Sequence, residues 1–242
     1  MIIKELSIIF PIYNEEDRIN KNLHKLVNLF KTFKTIKTEV ILVNDGSTDK
    51  THDLINKFLK SFKSKNKKKI KYINYKKNKG KGYALKQGIL KSKMNWKLTC
   101  DIDFSAHPDE VKRWIKLNYI KSAKFCYFAS RSLKKSNVKY KHHRYYLGNI
   151  FNYFVSKIFD LNIGDTQCGF KLYHSSYARK IFFKMREFRY SHDVEIAVLL
   201  RKNFIKIQEL PIKWIHRDKS KLNILTDGLN MIFKLIFIRL RY

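Results

Sequence analysis

Three observations predict an α/β protein with a mainly parallel central sheet and helices on both faces. Short apolar runs alternate with amphipathic stretches four times in the first hundred residues. Each run stops at turn-forming or acidic residues, as strands that feed helices do. The chain is 242 residues long and 44 % hydrophobic, enough for one large core. Alternating β and α at this spacing argues right-handed crossovers between parallel strands.

Residues 6–13 read as the first strand, and 15–33 as a helix with Leu23, Leu26, Val27 and Phe30 on one face. Residues 39–44 form the second strand, and Asp45-Gly46-Ser47-Thr48-Asp49 turns the chain into a helix that runs to about 63. The lysine-rich run 64–69 has nothing to bury and is expected to be a surface loop. Residues 70–75 give the third strand, and Gly80 and Gly82 lead into a helix to about 92. Residues 96–100 give the fourth strand, and Pro108 suits the first turn of the helix after it. A strand is expected over 125–130 and a mobile, aperiodic loop over 132–141, followed by a helix over 142–159. Beyond the glycine-punctuated 164–170 come a helix near 194–201 and a strand near 205–209.

The last segment, 222–242, carries Leu225, Leu229, Met231, Ile232, Leu235, Ile236 and Ile238, interrupted by Lys234, Arg239 and Arg241. That pattern suits either an amphipathic helix on a membrane surface or a helix docked on the core. The expected division is a catalytic domain over 1–221 and this amphipathic segment over 222–242. In the interfacial reading, Ile232, Leu235 and Ile236 are the inserting residues.

Fifty-two Lys and Arg against twenty Asp and Glu give a formal charge of +32, which calls for an anionic partner. Nucleic acid, an anionic membrane and a phosphorylated substrate are the candidates. Lysines spread over nearly every expected helix instead of forming one stripe, so compositional bias explains part of the excess. Cys100, Cys126 and Cys168 share no metal-ligand spacing and fit small core positions in a reducing compartment. No signal peptide and no run of about 20 apolar residues is visible, so the chain is not expected to cross a bilayer by itself.

The chemistry concentrates at strand ends. Asp101 and Asp103 follow the fourth strand, where open α/β sheets bind ligands. Residues two apart in an extended segment point the same way, so the pair can address one hard divalent cation, which takes oxygen ligands and often bridges to phosphates. Taken alone, the pair also fits a solvated turn. Tyr13 in Phe10-Pro11-Ile12-Tyr13-Asn14-Glu15-Glu16 and Asp45 in Val43-Asn44-Asp45-Gly46 end two further strands of the same sheet. Acids at three converging strand ends would repel a phosphate backbone, so no nucleic-acid partner is expected.

These motifs, with Asn78-Lys79-Gly80-Lys81-Gly82, resemble the inverting family 2 glycosyltransferases of the A-type nucleotide-sugar fold. In the second half, Asp165-Thr166-Gln167-Cys168-Gly169-Phe170-Lys171, Asp193-Val194-Glu195, Ser220-Lys221-Leu222 and Ile238-Arg239-Leu240-Arg241-Tyr242 look very like the dolichyl-phosphate β-glucosyltransferases. Phe104-Ser105-Ala106-His107-Pro108 departs from the Gly-Ala-Thr usual in that branch and is closer to the polyprenyl-phosphate mannosyltransferases. The N-terminal membrane anchor of the glucosyl relatives is not visible in this sequence either.

The resemblance implies inverting transfer of glucose from UDP-glucose to a polyprenyl (dolichyl) phosphate, with GDP-mannose as the alternative donor. It implies that Pro11, Tyr13, Glu15, Val43, Asp45, Asp101, Ile102, Asp103, Ser105, Arg217 and Lys221 bind the donor. Asp101 and Asp103 would hold Mg²⁺ or Mn²⁺, and Arg131 and Arg144 would grip the acceptor phosphate. Asp101, Asp103, Asp193 and Arg217 make up the catalytic set, with Asp193 at the acceptor site or positioning it. For each basic residue taken singly, an exposed surface side chain is the competing reading. The implied location is the cytoplasmic face of a membrane, with peripheral attachment through the last segment or through an anchoring partner subunit.

Overall fold

The computed structural model describes residues 2–62, 69–139, 142–217 and 224–242, with side chains from 148, 151–159 and 230 onward in the two helices that begin at 142 and 224. The elements are β1 (Glu5–Ile12), α1 (Glu16–Thr32), β2 (Lys37–Asp45), α2 (Thr51–Ser61), β3 (Ile70–Tyr75), α3 (Lys81–Lys91), β4 (Trp96–Thr99), α4 (Glu110–Lys116) and β5 (Phe125–Ser130). They continue with β6 (Asn137–Lys139), α5 (His142–Phe159), β7 (Lys171–His174), α6 (Ser175–Lys184), α7 (His192–Lys202), β8 (Lys206–Pro211), β9 (Lys213–Ile215) and α8 (Ile224–Arg241).

Seven strands form one sheet in the order β3-β2-β1-β4-β7-β5-β8. All neighbouring pairs are parallel except those that β7 makes with β4 and β5, so the six other strands share one direction. Side chains alternate across the sheet with period two. Ile8 and Phe10 of β1, Val40 and Leu42 of β2, and Tyr127 of β5 face a layer built with α1, α2 and α4. Ile9, Ile41, Val43 and Phe128 face the opposite layer, which holds α3, α5, α6, α7 and α8. The mainly parallel sheet with helices on both faces is therefore as the sequence predicts.

Three stretches differ from expectation. Residues 132–139 are not wholly a loop, because Asn137–Lys139 pairs in parallel with Lys213–Ile215 as a separate two-stranded ribbon. Three residues per strand are too few to leave a periodic signature. β7 and α6 are also absent from the sequence reading. β7 is buried in mid-sheet yet begins with Lys171, whose amine is satisfied internally by the Cys168 carbonyl at 2.7 Å and by Asp193. The fourth strand stops at Thr99, and α4 starts at Glu110, two residues after Pro108.

All three cysteines are buried and free. Among the described residues no helix is long and apolar enough to cross a membrane. The C-terminal helix docks on the core through one face and leaves a second apolar face exposed. Leu235 and Ile238 are fully buried in the core layer, about 1.5–3 kcal/mol each by side-chain burial, while Ile232, Phe233, Ile236, Phe237 and Leu240 face outward. Leu235 is thus a docking residue and not an inserting one.

Candidate active site

A cleft of about 320 Å³ opens over the C-terminal ends of β1, β2 and β4. It lies where the strand order reverses around β1, the point at which open α/β sheets take their ligands. Pro11, Ile12, Tyr13 and Glu15 line it from the β1 end, Asp45 from β2, and Asp101, Ile102 and Asp103 from the turn after β4. Arg18, Asn78, Gly80, Lys81, Arg189 and Tyr190 complete the wall.

The first two strand ends are tied together. Asn14, with φ at 50°, receives the Thr48 amide on its side-chain oxygen at 2.8 Å and donates its own amide to Ser47 Oγ at 2.9 Å. Asp45 anchors the next loop: Oδ1 accepts from the Tyr75 hydroxyl (2.6 Å) and the Lys79 amide (2.9 Å), and Oδ2 from Asn78 Nδ2 (2.9 Å) and the Gly80 amide (2.8 Å). Burial, followed by that bond to Asp45, pushes the Tyr75 hydroxyl well above its ordinary pKa. Gly80 sits at φ 102°, and a Cβ there would lie 2.3 Å from the Phe188 carbonyl oxygen, so only glycine lets the loop enter α3 at this place.

Asp101 pairs with Lys81 at 2.6 Å. Burial pulls the Lys81 amine down, but Asp101, Asp193 and Asp103 outweigh it and hold the amine above its ordinary pKa, so it stays charged. A Cβ on Gly169 would meet Asp101 Oδ2 at 2.6 Å, which explains the glycine where the chain enters β7. Asp103 accepts the Ser105 amide at 2.8 Å, and burial, then the neighbouring Asp101 charge, raises its carboxyl above the usual range. The pair reaches one cleft through a turn that carries Phe104 at φ 55°, and not along an extended strand as the spacing suggests.

Among the described residues no cluster of three or more His, Cys, Asp or Glu is gathered for a metal. Two hard carboxylates that repel each other in an open cleft nevertheless fit a Mg²⁺- or Mn²⁺-type ion, which is held by one or two carboxylates and completed by substrate phosphates and water.

The remaining sequence candidates lie elsewhere. Val43 is in the core layer beneath α3, and Ser105 is buried, its carbonyl receiving the Ile215 amide at 2.8 Å. Arg131 is clamped to Asp165 through Nε (2.7 Å) and Nη2 (2.9 Å) and lies over Trp214. Burial raises the Asp165 carboxyl, yet Arg131 more than reverses this and holds it below the usual range. Asp193 is buried against Lys171 at 2.5 Å and beside His192 at 3.4 Å. Arg217 is exposed and close enough to Lys25 that, after burial, it is the next cause lowering that amine's pKa. Lys221 and the Arg144 side chain lie outside the described residues.

The cleft residues without an assigned role in the sequence reading are Arg18, Asn78, Lys81, Arg189 and Tyr190. Asn78 and Lys81 stand inside a motif that sequence alone singles out. Arg18, three residues after Glu15, carries the helical spacing of an ion pair and makes it, Nη2 to Oε1 at 2.9 Å. Arg189 and Tyr190 sit in a connection with no periodic signal.

A sheet of this order, carrying an acid at three strand ends and paired aspartates over its switch point, is the architecture of an A-type glycosyltransferase. The chain belongs to glycosyl transferase family 2, whose model matches residues 7–182. It is 35 % identical over 248 residues to the dolichyl-phosphate beta-glucosyltransferase of Dictyostelium discoideum, covering 98 % of this chain and 74 % of that one. The Homo sapiens protein of the same name is 32 % identical over 249 residues, covering 99 % and 76 %. Among solved structures, glucosyl-3-phosphoglycerate synthase from Mycobacterium tuberculosis in complex with Mn²⁺, uridine-diphosphate and glucosyl-3-phosphoglycerate matches with a TM-score of 0.64 at 16 % identity, covering 98 % of this chain and 79 % of that one. That likeness is one of fold.

Proposed function

We propose that this glycosyltransferase moves glucose, with inversion, from UDP-glucose to a polyprenyl (dolichyl) phosphate, giving polyprenyl-phosphate β-glucose. The observation that carries the reading is similarity over nearly the whole chain to dolichyl-phosphate beta-glucosyltransferases of several species, combined with the acid-lined cleft. Pro11, Tyr13, Glu15 and Asp45 form the nucleoside end of that cleft, and Asp101 and Asp103 face the diphosphate. Asp45 acts by fixing the loop over residues 78–80, since four donors already occupy its carboxylate. A divalent ion on Asp101 and Asp103 would neutralise charge on the departing diphosphate. Lys81 and, by the family resemblance, Arg217 and Lys221 are assigned to add positive charge at the same end.

The acceptor needs little proton chemistry. A phosphate monoester has a second pKa of about 6 and is already ionised at neutral pH. Asp193, buried on Lys171, then serves as a positioning group near the acceptor and not as a base. Arg131, fixed by Asp165 and Trp214 beyond β5, and Arg144 in the first turn of α5 are assigned to the acceptor phosphate. The sequence Phe104-Ser105-Ala106-His107-Pro108 is the specific feature favouring GDP-mannose as the second reading. Offering UDP-glucose and GDP-mannose to a short polyprenyl phosphate, with Mn²⁺ or with chelator, decides between them. Glucosyl transfer that needs the metal is expected; mannosyl transfer alone overturns the donor assignment.

A lipid acceptor calls for a membrane surface, and α8 offers one. Its outward Ile232, Phe233, Ile236 and Phe237 accompany Lys234 and Arg239. Each cation near an anionic bilayer contributes about 1 kcal/mol, and inserted apolar side chains add a part that salt does not screen. The proposed placement is peripheral, on a cytoplasmic face. Liposome co-sedimentation should weaken with salt without vanishing, and should become almost fully salt-sensitive when those four residues are made polar. Unchanged binding by that variant would assign the face to an anchoring partner subunit.

A further inference from the structure

We infer that α8 is a positioning element of the donor cleft, acting through Glu195 and the 186–192 segment. Glu195 is fully buried in α7, and its carboxylate is a four-way node. Oε2 accepts the backbone amides of Arg186 (2.8 Å) and Glu187 (2.6 Å). Oε1 accepts Arg241 Nη1 (2.9 Å) and the Tyr242 hydroxyl (3.0 Å) from the end of α8. Two further contacts join the same pieces: Lys234 to Glu187 at 3.3 Å, and the Ser191 hydroxyl to the Met231 carbonyl at 3.4 Å. Among the described residues, these polar contacts of α8 fall on one ten-residue stretch, while Leu235 and Ile238 do the apolar docking.

That stretch forms part of the cleft. Arg189 and Tyr190 line it. The Phe188 carbonyl accepts the Gly82 amide at 2.7 Å, and the Phe188 ring meets Tyr83 edge-on at 5.3 Å. Between those two contacts and the Gly80 turn sits Lys81, the partner of Asp101. A buried carboxylate that loses two of its four donors must reorient or take up water. Reorientation loosens the Arg186 and Glu187 amides on Oε2, and with them the wall that Arg189, Tyr190 and Lys81 build. A helix that merely covered the core would have no reason to set an arginine and a tyrosine on the carboxylate that holds this connection, and a lysine on the connection itself.

The inference rests on the cleft being the donor site, and the test separates the two. Dissociation constants for uridine diphosphate with Mn²⁺ are measured by calorimetry on the full chain, together with the thermal midpoint. Tyr242→Phe and Arg241→Met, singly and combined, should weaken binding by roughly 2- to 30-fold, the range for residues that couple to a site without touching its ligand. Arg241→Lys, which keeps a charged donor, should recover part of the loss. Phe58→Leu, a core change on the opposite face of the sheet, should lower the midpoint and leave the dissociation constant unchanged. If the combined variant does not fold, Tyr242→Phe alone carries the test, since it deletes one hydroxyl from the protein's surface layer. Unaltered binding by a folded Tyr242→Phe or Arg241→Met protein, or equal weakening in Phe58→Leu, overturns the positioning role. Failure of the unsubstituted protein to bind any nucleoside diphosphate overturns the donor-site reading, and the inference with it.

Discussion

Asp103→Asn is expected to reduce transfer by about two to three orders of magnitude, the usual loss when a group that stabilises transition-state charge is removed. The fold should survive. Burial and the Asp101 charge already disfavour the ionised Asp103, so a neutral amide of the same shape relieves repulsion and still accepts the Ser105 amide. The thermal midpoint of the metal-free variant should therefore equal or exceed that of the unsubstituted chain. Added Mn²⁺ should raise the midpoint of the latter and leave the variant unmoved, because ligand binding to the native state alone is what stabilises. Near-normal turnover by a folded variant at saturating Mn²⁺ would remove Asp103 from the machinery.

Lys171→Met should have the largest effect on stability, about 3–5 kcal/mol, because it strands the buried Asp193 carboxylate. For a chain of this size that is a fall of roughly 6–20 °C in the thermal midpoint. Combining it with Asp193→Leu should restore most of the loss, since replacing both members of a buried ion pair by apolar groups is often neutral. The pH dependence follows the same pair. Burial raises the Asp193 carboxyl, but His192, Lys171 and Lys81 together hold its pKa below the ordinary value. Its stabilisation is therefore fully present above the unfolded carboxylate range, near 4, and is lost as pH falls through the depressed native value. Midpoints recorded from pH 7 down to pH 3 should converge for the unsubstituted chain and Lys171→Met. Parallel curves would mean that the ion pair contributes nothing.

The first half of the molecule was legible because its physics is local. Each strand there is an apolar run, each helix an amphipathic one, and the acids at the strand ends needed only the rule that such ends share an edge. Tyr13, Asp45 and Asp101 accordingly meet in one cleft. Val43 did not follow, because a residue two places inside a strand lies under the neighbouring helix and not at the rim. The second half depends on pairings between distant residues. Lys171 disguised β7, since a buried lysine reads as surface until Asp193, 22 residues on, is placed beside it. The β6–β9 ribbon joins segments too short for any pattern. Arg189 and Tyr190 reach the cleft only because Phe188 docks on α3. For α8 the sequence left docking and membrane contact as alternatives; the burial of Leu235 and Ile238 shows the docking.

The reversed strand β7 also affects how freely the molecule can vary. Residues 131–169 leave the sheet from β5 and return to it beside β5, so the ends of this stretch are hydrogen-bonded neighbours, with the Ala129 amide on the Phe170 carbonyl at 3.0 Å. Closing a loop between fixed, adjacent ends depends only logarithmically on its length, about 0.6 kcal/mol for each doubling. Insertions or deletions of several residues there leave the register of β1, β2 and β4 untouched. The stretch that holds the residues proposed for the acceptor phosphate can therefore change size while the strand ends around the cleft stay the same.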